Sequence, residues 1–140
     1  MRIYFACSIT GGRQDEAAYE AIVAALISAG HTVPTAHLAL PDFIRQEAII
    51  DPQDVFTRDT NWIAGCQALV AEVSTPSHGV GYEIAYALHQ GKPVLCCYRQ
   101  GARVSKMILG NTHPNLRIVA YEQPTDLQPF LTEFLNCIEV

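Results

Sequence analysis

Charge is scarce in this sequence: 16% of its 140 residues are Asp, Glu, Lys or Arg, against 49% that are hydrophobic. The formal net charge is −5, and no block of like charge occurs along the chain. Neither a nucleic-acid footprint nor a basic membrane-binding face is expected from that balance. No apolar run reaches transmembrane length, and the opening Met1-Arg2-Ile3-Tyr4-Phe5 reads as the approach to a strand, not as a signal peptide. The five cysteines (Cys7, Cys66, Cys96, Cys97 and Cys137) include no C-x-x-C pair, and the five histidines are scattered. Neither a disulfide framework nor a zinc site is expected; the pattern suits reduced core thiols of a cytoplasmic or nuclear protein that needs no metal or cofactor. Repeats, linkers and low-complexity segments are also missing, so residues 1–140 read as a single domain large enough to bury a core.

What the sequence does have is concentrated between Ala71 and Glu83. Ala68-Leu69-Val70-Ala71 is an apolar run of strand length, and Ser74-Thr75-Pro76-Ser77 breaks it. From Val80 the apolar residues Ile84, Ala87 and Leu88 recur at helical spacing. A strand, a glycine-bearing turn and a helix start bring backbone N–H groups and the positive end of a helix dipole to one place, which suits an anion. Ser77, Gly79 and Gly81 therefore form a phosphate-cradle candidate. Glu83 shares the inward face of Val80 and Ala87, and a carboxylate there needs a reason. The plain alternative is that the glycines only shape a turn and that Glu83 only complements the helix dipole.

The rest of the chain alternates strands and helices. Strands are expected at Arg2–Cys7, His31–Val33, Gln67–Val73, Val94–Tyr98 and Leu116–Tyr121. Helices are expected from an Asp15 cap through Ala29, from Asp51-Pro52 to about Gly65, from Gly79 to Gln90, briefly around Val104–Leu109, and from a Thr125 cap over Asp126–Asn136. Thr35 to Ile50 has weak periodicity and suits a pocket wall. Continuous apolar strands alternating with helices predict an α/β, flavodoxin-like (Rossmann-like), doubly wound five-stranded parallel sheet of order 2-1-3-4-5, with helices on both faces. Ligands bind such sheets at the carboxyl ends of the strands where the order reverses. The loop Ser8–Arg13 and the loop Ser74–Gly81 are predicted to meet there.

Two further residues stand out. Asp59 interrupts the stripe Val55, Trp62, Ile63 and Cys66 on the helix that Asp51 starts. It is either a carboxylate at the edge of the stripe, paired with Arg58 or partly solvated, or a second acid in the pocket of Glu83. Two carboxylates in one crevice have their proton affinities pushed apart, which supports nucleophile and acid–base roles. A separation of ~5 Å suits retaining glycosyl transfer. Tyr4, in the first strand, either packs in the sheet or uses its hydroxyl to orient a carboxylate.

The patterns Tyr4-Phe5-x-x-Ser8-Ile9-x-Gly11-Gly12-Arg13-Gln14-Asp15, Asp59-x-x-Trp62, and Ala71-Glu72-Val73-x-x-Pro76-Ser77-x-Gly79-Val80-Gly81-Tyr82-Glu83 together resemble the 2′-deoxynucleoside 5′-monophosphate N-hydrolases of the nucleoside 2-deoxyribosyltransferase superfamily. The resemblance extends over essentially the whole chain and includes a looser match at Arg103-Val104-x-Lys106-Met107-Ile108. It implies cleavage of the N-glycosidic bond of a deoxynucleotide to a free base and 2-deoxyribose 5-phosphate. Glu83 matches the family nucleophile, Asp59 its acidic partner, and Tyr4 the tyrosine that positions the nucleophile. Ser77 and Gly79 match 5′-phosphate contacts, joined by Ser105 from the other subunit of a homodimer, with Met107 beside it. Cys7, Ser8, Ile9, Thr10, Gly11, Gly12 and Arg13 match the loop around base and sugar, and His37 matches a histidine over the base pocket. Thr10 stands where related sequences often carry Arg, and Cys7 stands where they carry Gly, so the sequence does not name the base.

Two enzymatic rivals share this reading of the residues. A nucleoside 2-deoxyribosyltransferase would pass the sugar to a second base, and a ribonucleotide N-glycosidase would act on a substrate with a 2′-hydroxyl. A nucleotide-binding module without chemistry is the rival from another class, since fold does not fix function.

Overall fold

The computed structural model describes residues 1–42, 45 and 47–138. Phe43, Ile44 and Gln46, within the predicted pocket wall, lie outside the described residues, as do Glu139 and Val140. In chain order the elements are β1 (Ile3–Ala6), α1 (Glu16–Ser28), a 3-10 turn (Ala36–Ala39), α2 (Pro52–Gly65), β2 (Ala68–Glu72), α3 (His78–His89), β3 (Val94–Arg99), the short α4 (Lys106–Leu109), β4 (Leu116–Tyr121), a second 3-10 turn (Pro124–Asp126) and α5 (Leu127–Ile138).

The sheet is parallel throughout, in the order β1-β2-β3-β4. The expected five-stranded sheet is therefore corrected to four strands. Residues 31–33 contribute a single parallel bridge, Arg2 to Thr32, held by Ile3 N to Thr32 O and Thr32 N to Met1 O, both at 2.9 Å. Pro34 follows at once, and a residue without an N–H cannot extend the ladder.

Side chains of a strand alternate between its two faces, and that alternation decides which residues reach the site. Ile3 and Phe5 face α1 and α5, where Tyr19, Ile22, Leu26, Leu131 and Phe134 close one core. Tyr4 and Ala6 face α2 and α3, where Ile63, Val80, Ile84 and Ala87 close the other. All nine residues of β1 and β2 are buried, as a parallel strand covered on both faces requires.

Three helix starts differ in how they are capped. Asp51 caps α2 as expected, accepting from Gln53 N at 3.3 Å with Pro52 in the first turn. Asp15 stands before α1, but its side chain makes no capping bond; its Oδ1 accepts from Arg99 Nε at 2.8 Å. Thr125 lies inside the second 3-10 turn, where Gln123 and Asp126 form the reciprocal cap. No helix among the described residues is long and apolar enough to cross a membrane.

Candidate active site

The two loops predicted to meet do meet. Gly11 packs so closely on the loop after β2 that a Cβ there would lie 2.4 Å from the Pro76 carbonyl oxygen. Its neighbour Gly12 has φ 111°, a backbone conformation that L side chains rarely adopt. The sequence Gly11-Gly12 is therefore what lets the β1 loop turn against the start of α3.

Ser77 is the N-cap of α3, and its Oγ accepts from Val80 N at 3.3 Å. The other first-turn N–H groups have no partner within the helix, so this end is a natural anion acceptor. One turn further in, Glu83 points back toward β1, where the Tyr4 hydroxyl donates to its Oε1 at 2.6 Å. Tyr4 itself is fully buried. A residue that alternation places on the α3 side of β1 thus holds a carboxylate from α3.

Beside this pair lies a cavity of about 450 Å³. Cys7, Ile9 and Thr10 enter it from the β1 loop, Glu47 and Ile50 from the segment before α2, Asp59 and Phe56 from α2, and Ser77, Gly79, Tyr82 and Glu83 from the start of α3. Three carboxylates, those of Glu47, Asp59 and Glu83, and a helix N-terminus therefore share one mostly apolar space. Asp59 Oδ1 accepts from Arg58 Nε at 2.8 Å.

Burial sets the proton affinities here. It raises the Glu83 carboxyl to about 7; the Tyr4 hydrogen bond opposes that shift and the charge of Asp59 adds to it. Burial also raises Asp59, with Arg58 pulling it back down. The Tyr4 phenol is driven well above its ordinary range by burial and then by Glu83, so it stays a donor. Burial pushes the Cys7 thiol up to about 12, which excludes a reactive thiolate in the cavity.

Other predicted residues fall around this space. Gly81, Ser105 and Met107 line an adjoining cavity of about 420 Å³ that shares Ser77 and Val80 with the first. Ser105 caps α4 by accepting from Met107 N at 3.2 Å, and Met107 is 85% exposed. His37 packs its ring edge-on to Trp62, with centroids 5.8 Å apart, and burial followed by the Arg58 charge lowers its proton affinity. Arg13 pairs with Glu16: its Nε donates to Glu16 Oε1 at 2.9 Å, and its guanidinium lies 5.4 Å from the Tyr19 ring centroid. Ser8 is fully buried, with its Oγ near Gly11.

Two acidic residues were not singled out from the sequence. Glu47 lines the cavity and receives the Arg58 guanidinium on both carboxylate oxygens. Glu72, 1% exposed at the end of β2, accepts from Tyr121 Oη at 2.9 Å, from Ser74 N at 3.3 Å and from Ser74 Oγ. A charge ending the run Ala68–Ala71 was the available signal for Glu72. Glu47 carries no such signal, because its partner lies across a loop.

The family model of the nucleoside 2-deoxyribosyltransferases matches residues 3–127, and the chain belongs to that family. A Methanosarcina barkeri protein named as a candidate 2′-deoxynucleoside 5′-phosphate N-hydrolase 1 is 40% identical over 134 residues, covering 96% of this chain and 84% of its own. A Rattus norvegicus protein named 5-hydroxymethyl-dUMP N-hydrolase is 43% identical over 112 residues, covering 77% of this chain and 68% of its own. Among solved structures, a CMP N-glycosidase from Clostridium botulinum matches with a TM-score of 0.72 at 20% identity, over 96% of this chain and 99% of that one. That likeness speaks for the fold.

Proposed function

We propose that this chain is an N-glycosyl hydrolase that cleaves 2′-deoxynucleoside 5′-monophosphates to a free base and 2-deoxyribose 5-phosphate. The observation that carries the reading is the 2.6 Å hydrogen bond from Tyr4 to Glu83 beside a cavity that Asp59 also lines. The names of the related N-hydrolases support the substrate class.

In this reading a Glu83 oxygen forms a bond to C1′ of the sugar. The C1′–N bond breaks, its electron pair leaves with the base, and the base takes a proton from Asp59. The developing charge on the sugar is cationic, so the adjacent carboxylate stabilises it before any bond is complete. Water then attacks C1′ and gives its proton to Asp59, and the bond from C1′ to Glu83 breaks to restore the carboxylate. Tyr4 donates to the ionised Glu83 and so favours the form that attacks.

The 5′-phosphate takes the start of α3 at Ser77 and Gly79, with Gly81 in the same turn. The loop Cys7–Arg13 surrounds base and sugar, and His37 stands over the base. Ser105 and Met107 serve a second copy across a homodimer interface. The exposure of Met107 supports that assignment. The chain acts as one domain, in the cytoplasm or nucleus, without a cofactor.

The test is product analysis on a panel of deoxynucleoside monophosphates, matching nucleosides and ribonucleotides, with and without an acceptor base. Free base from the deoxynucleotides without an acceptor supports the hydrolase. Turnover that requires an acceptor assigns the chain to transferase chemistry, and release from ribonucleotides alone assigns it to their hydrolysis. No product from any of them contradicts the reading.

A further inference from the structure

Arg58 divides one positive charge between two carboxylates. Its Nε donates to Asp59 Oδ1 at 2.8 Å, while Nη2 and Nη1 fork onto Glu47 Oε1 and Oε2 at 2.7 and 3.2 Å. Adjacent residues on a helix do not face each other, so the contact between Arg58 and Asp59 needs a second support. Two are present: the Glu47 fork, and the Trp62 ring one turn on, whose centroid lies 4.9 Å from the guanidinium carbon. The side chains of Arg58, Glu47 and Asp59 are 22%, 12% and 17% exposed, so solvent screens this trio less than a surface ion pair.

We propose that Arg58 is a positioning residue for Asp59, and that Glu47, by holding the guanidinium fork, sets how much of its charge Asp59 feels. The proposal rests on the reading of Asp59 as the group that exchanges a proton with the base and with water. A carboxylate with an arginine to itself would hold its proton too weakly to donate it. A buried carboxylate with no cation beside it would give its proton up too reluctantly to recover its charge. Sharing Arg58 with Glu47 places Asp59 between those limits.

The other groups facing Asp59 are Glu83 from α3, Tyr4 from β1 and His37 from the 3-10 turn. Burial, and then the Arg58 charge, lowers the proton affinity of His37. Among the trio and these neighbours, Glu47 is the carboxylate that touches Arg58 without touching the candidate catalytic pair. The rival explanation is mechanical: Arg58 merely straps the segment before α2 to the helix.

Titration of ¹³C-labelled Asp side chains in the ligand-free protein separates the two, with Asp59→Asn assigning the signal. Glu47→Gln, Arg58→Met and Arg58→Lys are compared with the parent, and thermal melts check that each is folded. Glu47→Gln lowers the Asp59 midpoint by about one pH unit, Arg58→Met raises it by about one unit or more, and Arg58→Lys lies between Arg58→Met and the parent. On a deoxynucleoside monophosphate, the matching inflection in kcat/KM moves in the same direction. A strap would alter melting or KM and leave the midpoint in place, and that result overturns the proposal. A midpoint that moves while the kcat/KM inflection stays fixed overturns the positioning role. If the midpoint moves and no deoxynucleotide is hydrolysed, the charge sharing stands and the proposed reaction fails.

Discussion

The Tyr4 hydroxyl donates to Glu83 Oε1 at 2.6 Å across 79 residues of sequence. The pair joins the first strand to the helix after the second, and it fixes a carboxylate whose protonation midpoint burial has moved to about 7. The donor favours the ionised carboxylate, so Tyr4→Phe raises the Glu83 midpoint further. The phenyl ring still fills its place in the core. The inflection near pH 7 in kcat/KM moves to higher pH, and activity at neutral pH falls by roughly 10- to 100-fold, the equivalent of one hydrogen bond to a charged group. Steady-state kinetics across pH 5–9 check this.

Glu83→Gln abolishes turnover and keeps nucleotide binding, as calorimetry with a deoxynucleoside monophosphate will read. It also changes how stability depends on pH. The folded midpoint of Glu83 is raised above the unfolded value, so between pH 4.5 and about 7 the native state binds more protons than the unfolded chain. Stability therefore falls as pH rises through that window. Glu83→Gln flattens the fall and melts at a higher temperature than the parent at pH 8. Equal melting curves at pH 8 would contradict the buried, costly carboxylate.

Ser77 caps α3, and in the proposed reading it also holds the 5′-phosphate. Ser77→Ala loses the cap on Val80 N, which costs about 1 kcal/mol of stability. It also raises KM for a monophosphate substrate more than it changes any activity on the nucleoside. Equal effects on both substrates would remove Ser77 from the phosphate site.

Glu72 is buried and raised like Glu83, yet its surroundings make it structural. Both midpoints stand at about 7, but Glu72 is enclosed by Ser74 and Tyr121 and does not line the cavity. Glu72→Ala strands those donors in the core at about 1–3 kcal/mol for each buried group left unpaired. Denaturant unfolding will show the loss.

The cysteines provide a check on the fold. Cys7, Cys66, Cys96 and Cys97 are buried free thiols and Cys137 is exposed. Native protein at pH 8 is therefore modified first at Cys137 by a thiol reagent. Rapid labelling of Cys96 or Cys97 would contradict the burial of β3.

The relation between Tyr4 and Glu83 is legible in the sequence only through the resemblance, which matches Tyr4 to the tyrosine that positions the nucleophile. The residues alone leave Tyr4 between packing in the sheet and orienting a carboxylate. Strand alternation turns Tyr4 toward α3, and helical spacing turns Glu83 toward the sheet. The Ser8–Arg13 and Ser74–Gly81 loops follow from the parallel topology, which brings strand carboxyl ends to one edge. The edge strand failed because periodicity in three residues cannot say how long a pairing lasts, and Pro34 ended it after one bridge. The Glu47 fork on Arg58 was invisible for a different reason: it depends on how a loop without periodicity folds over α2. Local chemistry marks Asp15 as a cap, but its side chain pairs with the long-range partner Arg99.

The measurement that bears most directly on the central claim is mass spectrometry of protein quenched during turnover of a deoxynucleoside monophosphate, with the modified peptide sequenced. The account predicts a 2-deoxyribose 5-phosphate ester on Glu83, absent in Glu83→Gln. An ester on another residue, or single-turnover hydrolysis by Glu83→Gln at the parent rate, would contradict it.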